Sequence, residues 1–319
     1  MLMDMMPPDE RRNLVLVYVP DQLNPADFRE IGAAVRQRRP DIETIVMNAE
    51  RPDPHAVRKA ARWPSLIVSQ GNLLNFRPQR GKVYAGKSVN KAMQSKRLRD
   101  NGVPTPHART FIGNESYTEE EFGPFVMVKI TRLGVASGGT GIKLMHTRNI
   151  AKYKYEIRLL EERTRAPVLV QSFVDTGPNP STYRVLTLFG ETLYIKKRTL
   201  TQPFHLPVLE TDIVTNEGMV TNIVRGKGTA NTELVREDDI SKLARQAAAA
   251  FPESPIIGID ILREARTGKP YVIEMNIGNT WHFSSQTPGR FRGKALADFF
   301  KSWDVAADVL IEKTLAEAE

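Results

Sequence analysis

The sequence predicts an α/β protein: an open parallel α/β domain at the N-terminal end, followed by α+β lobes assembled from hairpins. Three observations carry this. Between residues 13 and 70, apolar runs alternate with helical stretches at the spacing of strand–helix–strand units. Beyond residue 120 the strands come in pairs around Gly-containing turns. The last of these pairs, within Pro255 to Phe283, carries acids where a buried strand should hold none.

Composition narrows the function classes. A chain of 319 residues can bury a large core and build two or three lobes. It has no cysteine, which excludes disulfides, thiolate metal sites and a cysteine nucleophile. Its first residues, MLMDMMPPDERRN, lack the apolar core of a signal peptide. No apolar run reaches the length of a membrane span, so no membrane partner and a cytoplasmic location are expected. The net charge of +8, from 45 Lys and Arg against 37 Asp and Glu, favours anionic ligands. Basic residues cluster at Arg36 to Arg39 and Lys196 to Arg198 without interleaved aromatics, so nucleic acid is disfavoured as a partner.

In chain order, Met1 to Arg12 reads as a disordered arm. Asn13 to Val19, Ile42 to Asn48 and Ser65 to Gln70 read as strands, with helices at Pro25 to Arg36 and Pro54 to Arg62. Lys82 to Ala85 is a further short strand. Gly81 to Ser88 fits the phosphate-loop pattern letter for letter, but no apolar run precedes Gly81, and Val83 and Tyr84 look like strand. The match is therefore set aside as a coincidence. Val89 to Asn101 is helical and is stopped by Gly102 and two prolines. Phe125 to Ile130 and Ile142 to Met145 are paired strands; Lys129 interrupts the first, and a Gly-rich turn able to lie over phosphates joins them. A charged helix over Asn149 to Thr164, a strand over Val168 to Val174 and a hairpin over Ser181 to Leu200 follow. Thr201 to Val220 carries no clear pattern, Asp238 to Phe251 is an amphipathic helix, and Arg292 to Ala318 closes the chain with one or two helices.

The hairpin at Pro255 to Phe283 carries the chemistry. Asp260 sits among isoleucines, and Glu274 follows Val272 and Ile273. Both are equidistant from Thr267, so a simple register sets them opposite one another, where like charges repel. Asn276 shares their face because side chains alternate along a strand. Two carboxylates and an amide oxygen, half buried together, call for a cation. Oxygen-only ligands suit Mg²⁺ shared with nucleotide phosphates.

With these elements in order, the chain from about Val89 to Trp303 resembles the ATP-grasp superfamily, and within it the ribosomal-protein glutamate ligases and related carboxylate–amine ligases. The resemblance rests on an Asn-Lys helix ending GVPTP, the Lys129 strand with its glycine turn, Gln171-Ser172-Phe173-Val174, Arg184-Val185, Arg198, Asn222-Ile-Val-Arg225-Gly, GID-Ile-Leu and Glu274-x-Asn276. It implies an N-terminal domain over 13–88 and an ATP-grasp region over 89–319, with a lid lobe near 107–174 and a C-terminal lobe near 175–319. ATP would lie between lobes. Lys91, Lys129 and Arg184 would contact its phosphates, with Gly138, Gly139 and Gly141 as lid and Gln171 to Val174 at the adenine edge. Asp260, Glu274 and Asn276 would hold Mg²⁺, with Mn²⁺ as the second candidate. Arg184, Lys196, Arg198, Asn222 and Arg225 would line the substrate side.

The chemistry this implies is amide formation through an acyl phosphate, with Lys129, Arg198 and Arg225 neutralising the transferring group. The substrates would be a small carboxylate and an amine, such as an amino acid or a peptide; the oligomeric state stays open. A kinase using the same ATP site and a non-catalytic nucleotide-binding protein are the rival readings. Departures from the family pattern fall at Gln171, Thr182, Val224, Lys227 and the segment after Asn276, and they put the substrate in doubt more than the nucleotide.

Overall fold

Strands that are apolar on both faces can be buried only between two layers, and the N-terminal sheet is built from such strands. The computed structural model describes residues 11–20, 25–87, 89–131, 142–203, 206, 214–215, 230–277 and 294–319. Strand β1 (Arg12–Tyr18) is buried along its middle five residues. It pairs in parallel with β2 (Ile42–Asn48) and β3 (Ser65–Ser69), and β4 (Lys82–Ala85) adds to β3, giving the order β2-β1-β3-β4. Helix α1 (Pro25–Arg38) covers one face through Phe28, Ile31 and Val35. Helix α2 (Pro54–Arg62) covers the other through Ala60, with Phe76 from the loop after β3. Asp53 caps α2 by accepting the N–H groups of His55 and Ala56.

The phosphate-loop match over 81–88 encloses β4. Its second to fifth residues form the strand, which no phosphate loop can do. Gly81 is required by packing: its φ is 114°, and a Cβ there would lie 2.7 Å from the Ser65 carbonyl oxygen. Ser88 lies outside the described residues.

Helix α3 (Lys91–Asp100), capped by Asn90, leads into a second sheet. This sheet is antiparallel, in the order β11-β7-β6-β8-β5, and comprises β5 (Ala108–Thr110), β6 (Phe125–Ile130), β7 (Ile142–His146), β8 (Val168–Ser172) and the two-residue β11 (Val214–Thr215). Helices α4 (Glu119–Phe122) and α5 (Lys154–Thr164) back it through Phe122 and Ile157. A third antiparallel sheet has the order β12-β10-β9-β13-β14, formed by β9 (Ser181–Leu188), β10 (Glu191–Leu200), β12 (Ala230–Val235), β13 (Ile256–Arg263) and β14 (Pro270–Ile277). Helix α6 (Asp238–Ala249) packs Ile240, Leu243, Ala244 and Ala247 on one face of it.

Helix α7 (Lys294–Glu317) joins the two ends of the chain. Its Ala306, Ala307, Leu310 and Ile311 share one core with Leu14, Leu66 and Val68 of the first sheet and with Leu186, Leu188 and Ile256 of the third. The backbone of Glu319 exchanges hydrogen bonds with Ser65, the first residue of β3, at 2.8 and 3.4 Å. No helix among the described residues is long and apolar enough to cross a membrane.

Candidate active site

On an antiparallel sheet, residues directly opposite one another share a face. On the third sheet four charged residues fall in one such row. Lys196 on β10 is opposite Arg184 on β9, Arg184 is opposite Asp260 on β13, and Asp260 is opposite Glu274 on β14. The reverse face carries Val185, Ile195, Ile259 and Met275 into the α6 core. Arg184, Asp260 and Glu274 are each flanked by apolar or aromatic residues because only one face of the sheet meets the cleft. Acids that interrupt apolar runs in the sequence are the trace of that arrangement.

The Asp260–Glu274 pairing holds for a reason the simple register omits. Near the turn Arg263 faces Pro270 and Ile261 faces Val272, so the hairpin is centred between Arg266 and Thr267. A bulge at Ile273 inserts one residue and restores Asp260 to Glu274. Asn276 then lies on the same face, its amide nitrogen 3.1 Å from Asp260 Oδ2.

Arg184 grips Asp260 through both Nε and Nη2, the latter at 2.8 Å from Oδ2. It was expected at nucleotide phosphates, and its fork is occupied by this carboxylate. Asp260 is 3% exposed. Burial raises its pKa, the charge of Glu274 adds to the rise, and Arg184 opposes it. Lys91 opens α3 and reaches Glu274 Oε1 at 3.4 Å. Lys129, from β6 on the second sheet, is 6% exposed and donates to Gln171 Oε1 at 2.5 Å. Burial and, after it, the charge of Lys91 lower its pKa against the opposing Glu274 and Asp260, leaving it at about 8. Two sheets and helix α3 therefore bring four cations and two carboxylates to one cleft.

Below this cluster the cleft is apolar. Pro106, Met127, Phe173, Val174, Leu262 and Ile273 line it beside Lys129 and Gln171. Ser172 and Phe173 donate their N–H groups to His107 and Phe125 carbonyls, at 2.8 and 3.0 Å. Val174 follows β8 and donates no backbone hydrogen bond to a described residue. Arg198 lies one step along β10 from Lys196 on the same face, opposite Thr182. Thr182 is 7% exposed, and its hydroxyl has no hydrogen-bond partner among the described residues. Gly138, Gly139, Gly141, Asn222 and Arg225 lie outside the described residues.

Sequence reasoning missed Gln94. It is buried on α3, three residues from Lys91 and on the same side of the helix; it accepts the Met275 N–H at 3.1 Å and donates to the Val89 carbonyl at 2.8 Å. It fixes Lys91 against β14. The signal was an amide one helical turn from a candidate phosphate-binding lysine.

The donor set fits a hard divalent cation on its chemistry. Two carboxylates and an amide supply oxygen only. A carboxylate offers roughly four lone-pair sites; Arg184 and Asn276 take three on Asp260, so Asp260 would give a single bond and Glu274 the larger share. Among the described residues, no group of three His, Cys, Asp or Glu could hold a metal independently of a ligand.

A parallel α/β sheet followed by two antiparallel sheets that face each other across such a cleft is the ATP-grasp fold. Solved structures agree over nearly the whole chain. The ATP-grasp ligase PsnB, complexed with a minimal precursor, is 16% identical with a TM-score of 0.54, covering 94% of this chain and 99% of that one. D-alanine–D-alanine ligase from Bacillus anthracis is 14% identical with a TM-score of 0.50, over 96% and 97%. A RimK domain ATP-grasp protein from Sphaerobacter thermophilus DSM 20745 is 14% identical with a TM-score of 0.50, over 95% and 99%. No family model matches the sequence, and the search of curated proteins gave no significant match.

Proposed function

We propose that this chain is an ATP-dependent carboxylate–amine ligase that forms an amide bond through an acyl phosphate. The observation that carries the reading is the cross-strand row Lys196–Arg184–Asp260–Glu274 facing Lys129 across one cleft. PsnB has a structure in complex with Mg and ADP, and on that likeness the cofactors here are ATP and Mg²⁺. Asp260, Glu274 and Asn276 would hold the ion, which when bound draws charge from the nucleotide phosphates. Lys91 and Lys129 bind the phosphates from both sides, and burial removes the water that would weaken that attraction. Met127, Leu262 and Ile273 enclose the base, and the Val174 N–H meets its edge. Arg184 acts through Asp260, holding the carboxylate in one orientation, while Lys196 and Arg198 receive the carboxylate substrate. Thr182 offers that substrate a hydroxyl. The acceptor is a small amine, an amino acid or a peptide.

No side-chain nucleophile is needed, because the substrate carboxylate attacks the γ-phosphate and the amine then displaces phosphate. Catalysis is positioning and charge neutralisation. The test is incubation with ATP, Mg²⁺ and pooled carboxylates and amines, followed by mass analysis. The reading predicts an amide product with ADP and free phosphate in equal amounts. A phosphorylated substrate with no free phosphate would instead make the chain a kinase.

A further inference from the structure

The outward layer of the N-terminal sheet is α2 and the loop between β3 and β4, held down by Val57, Leu73 and Phe76. The sheet's other face is closed by α1 and α7. The outward layer is strongly basic: residues 51–82 contain seven Lys and Arg against one Asp. That acid, Asp53, is committed to capping α2, and Lys59 pairs with Glu43. Arg51, Arg58, Arg62, Arg77 and Arg80 are all exposed, and among the described residues none forms an ion pair with an acid. They converge from two segments. Gly81 packs against Ser65, which brings Arg80 to the end of α2, where Arg62 lies 4.8 Å from the Trp63 ring centre and Arg11 lies 5.2 Å from it. Five guanidinium groups on one small layer repel one another, and among the described residues none of the five is paired with a carboxylate.

We propose that this layer is a docking surface for an acidic peptide segment. A guanidinium fork matches a carboxylate in geometry as well as charge. A single-stranded nucleic acid needs open aromatic faces for its bases, and Trp63 is covered by two arginines. The surface lies outside the nucleotide cleft and uses none of its residues, so the binding does not depend on the ligase reading.

The test uses the full chain and a fluorescein-labelled octapeptide of alternating Glu and Gly, read by anisotropy at low salt. Binding is expected with a Kd on the order of 10 µM, and it is lost when salt shortens the reach of the charges. Arg58→Ala combined with Arg80→Ala removes two groups with no hydrogen bond or ion pair to another described residue. This variant is expected to weaken the peptide about tenfold while leaving the thermal midpoint and Mg-ATP binding unchanged. The proposal is overturned if the peptide does not bind, if the double variant binds it equally well, or if a single-stranded oligonucleotide of equal charge binds more tightly. Peptide binding by a protein that turns over no ATP leaves this proposal standing and removes the ligase reading alone.

Discussion

Lys129 is an ammonium group shut away from water with a neutral amide as its bonded partner. Its pKa falls from 10.5 in the unfolded chain to about 8 in the folded one. Between those values the unfolded chain binds more protons than the folded one, so the ligand-free protein gains stability as pH rises across that window. At neutral pH the buried charge costs about 3 kcal/mol. Lys129→Met is therefore expected to raise the ligand-free thermal midpoint near neutral pH, to flatten its rise above pH 8, and to abolish nucleotide binding. Scanning calorimetry and nucleotide titration read these separately. In the unaltered protein nucleotide affinity should be full below about pH 8 and fall above it, since only the protonated amine attracts phosphate. Glu274→Gln keeps the shape and removes a charge; turnover is expected to drop about a hundredfold. Its ligand-free thermal midpoint should hold, because Arg184 already neutralises Asp260. A collapse of the fold instead would make Glu274 a structural partner of Lys91. Asp260, Glu274, Asn276 and Lys129 were legible in the sequence because each breaks an apolar run. The Arg184 fork was not, because a strand arginine carries no mark of which neighbouring strand it will face.

At the scale of elements, periodicity gave most strands to within a residue. Ile42–Asn48, Phe125–Ile130 and Lys82–Ala85 were read with the bounds the structure has. β5 and β12 were missed because three residues, or six of which none is fully buried, hold too little apolar pattern. The expected helix over 149–164 is a turn followed by α5 from Lys154, and the strand expected to reach Val174 stops at Ser172. The bulge at Ile273 had no signal at all, since a one-residue insertion is visible only against a partner strand. Gly81 belongs to this scale too. Gly81→Ala is expected to lower the thermal midpoint, by clash with Ser65 and by positive φ, at a cost of about 1–3 kcal/mol. Nucleotide affinity measured at a temperature where the variant is folded should be unchanged, whereas a phosphate loop at this glycine predicts its loss.

For the whole molecule the deciding quantity is the charge of the cleft. Among the described residues Lys91, Lys129, Arg184 and Lys196, with Arg198 beside them on β10, outnumber Asp260 and Glu274, so the site carries an excess of positive charge before anything binds. A bare divalent cation is repelled by such a site, and a polyphosphate is drawn into it. We expect Mn²⁺ alone to bind weakly, with no saturation at millimolar concentration, and Mn²⁺ with ADP to bind at least about tenfold more tightly. Electron paramagnetic resonance of free Mn²⁺ measures both; tight binding of the ion alone would mean that the carboxylates are not neutralised as described. Fold class was legible at this scale because alternation and pairing survive in one sequence. The convergence of α3, β6 and the third sheet on one cleft was not, because it depends on contacts between residues more than a hundred positions apart.

Helix α7 sets an order of events during synthesis. The face of the first sheet that carries Leu14, Leu16, Leu66 and Val68 is covered in part by α1 and closed by Ala306, Ala307, Leu310 and Ile311, which are made long after the strands they cover. Until they leave the ribosome, that sheet has a finished set of strands and an apolar side that α1 covers only in part. The nascent chain must therefore carry an adhesive surface while the residues between β4 and α7 are made, a load for holding chaperones and a hazard when translation stalls. A fragment that ends before α7 inherits the same exposed side permanently, and its natural fate is aggregation.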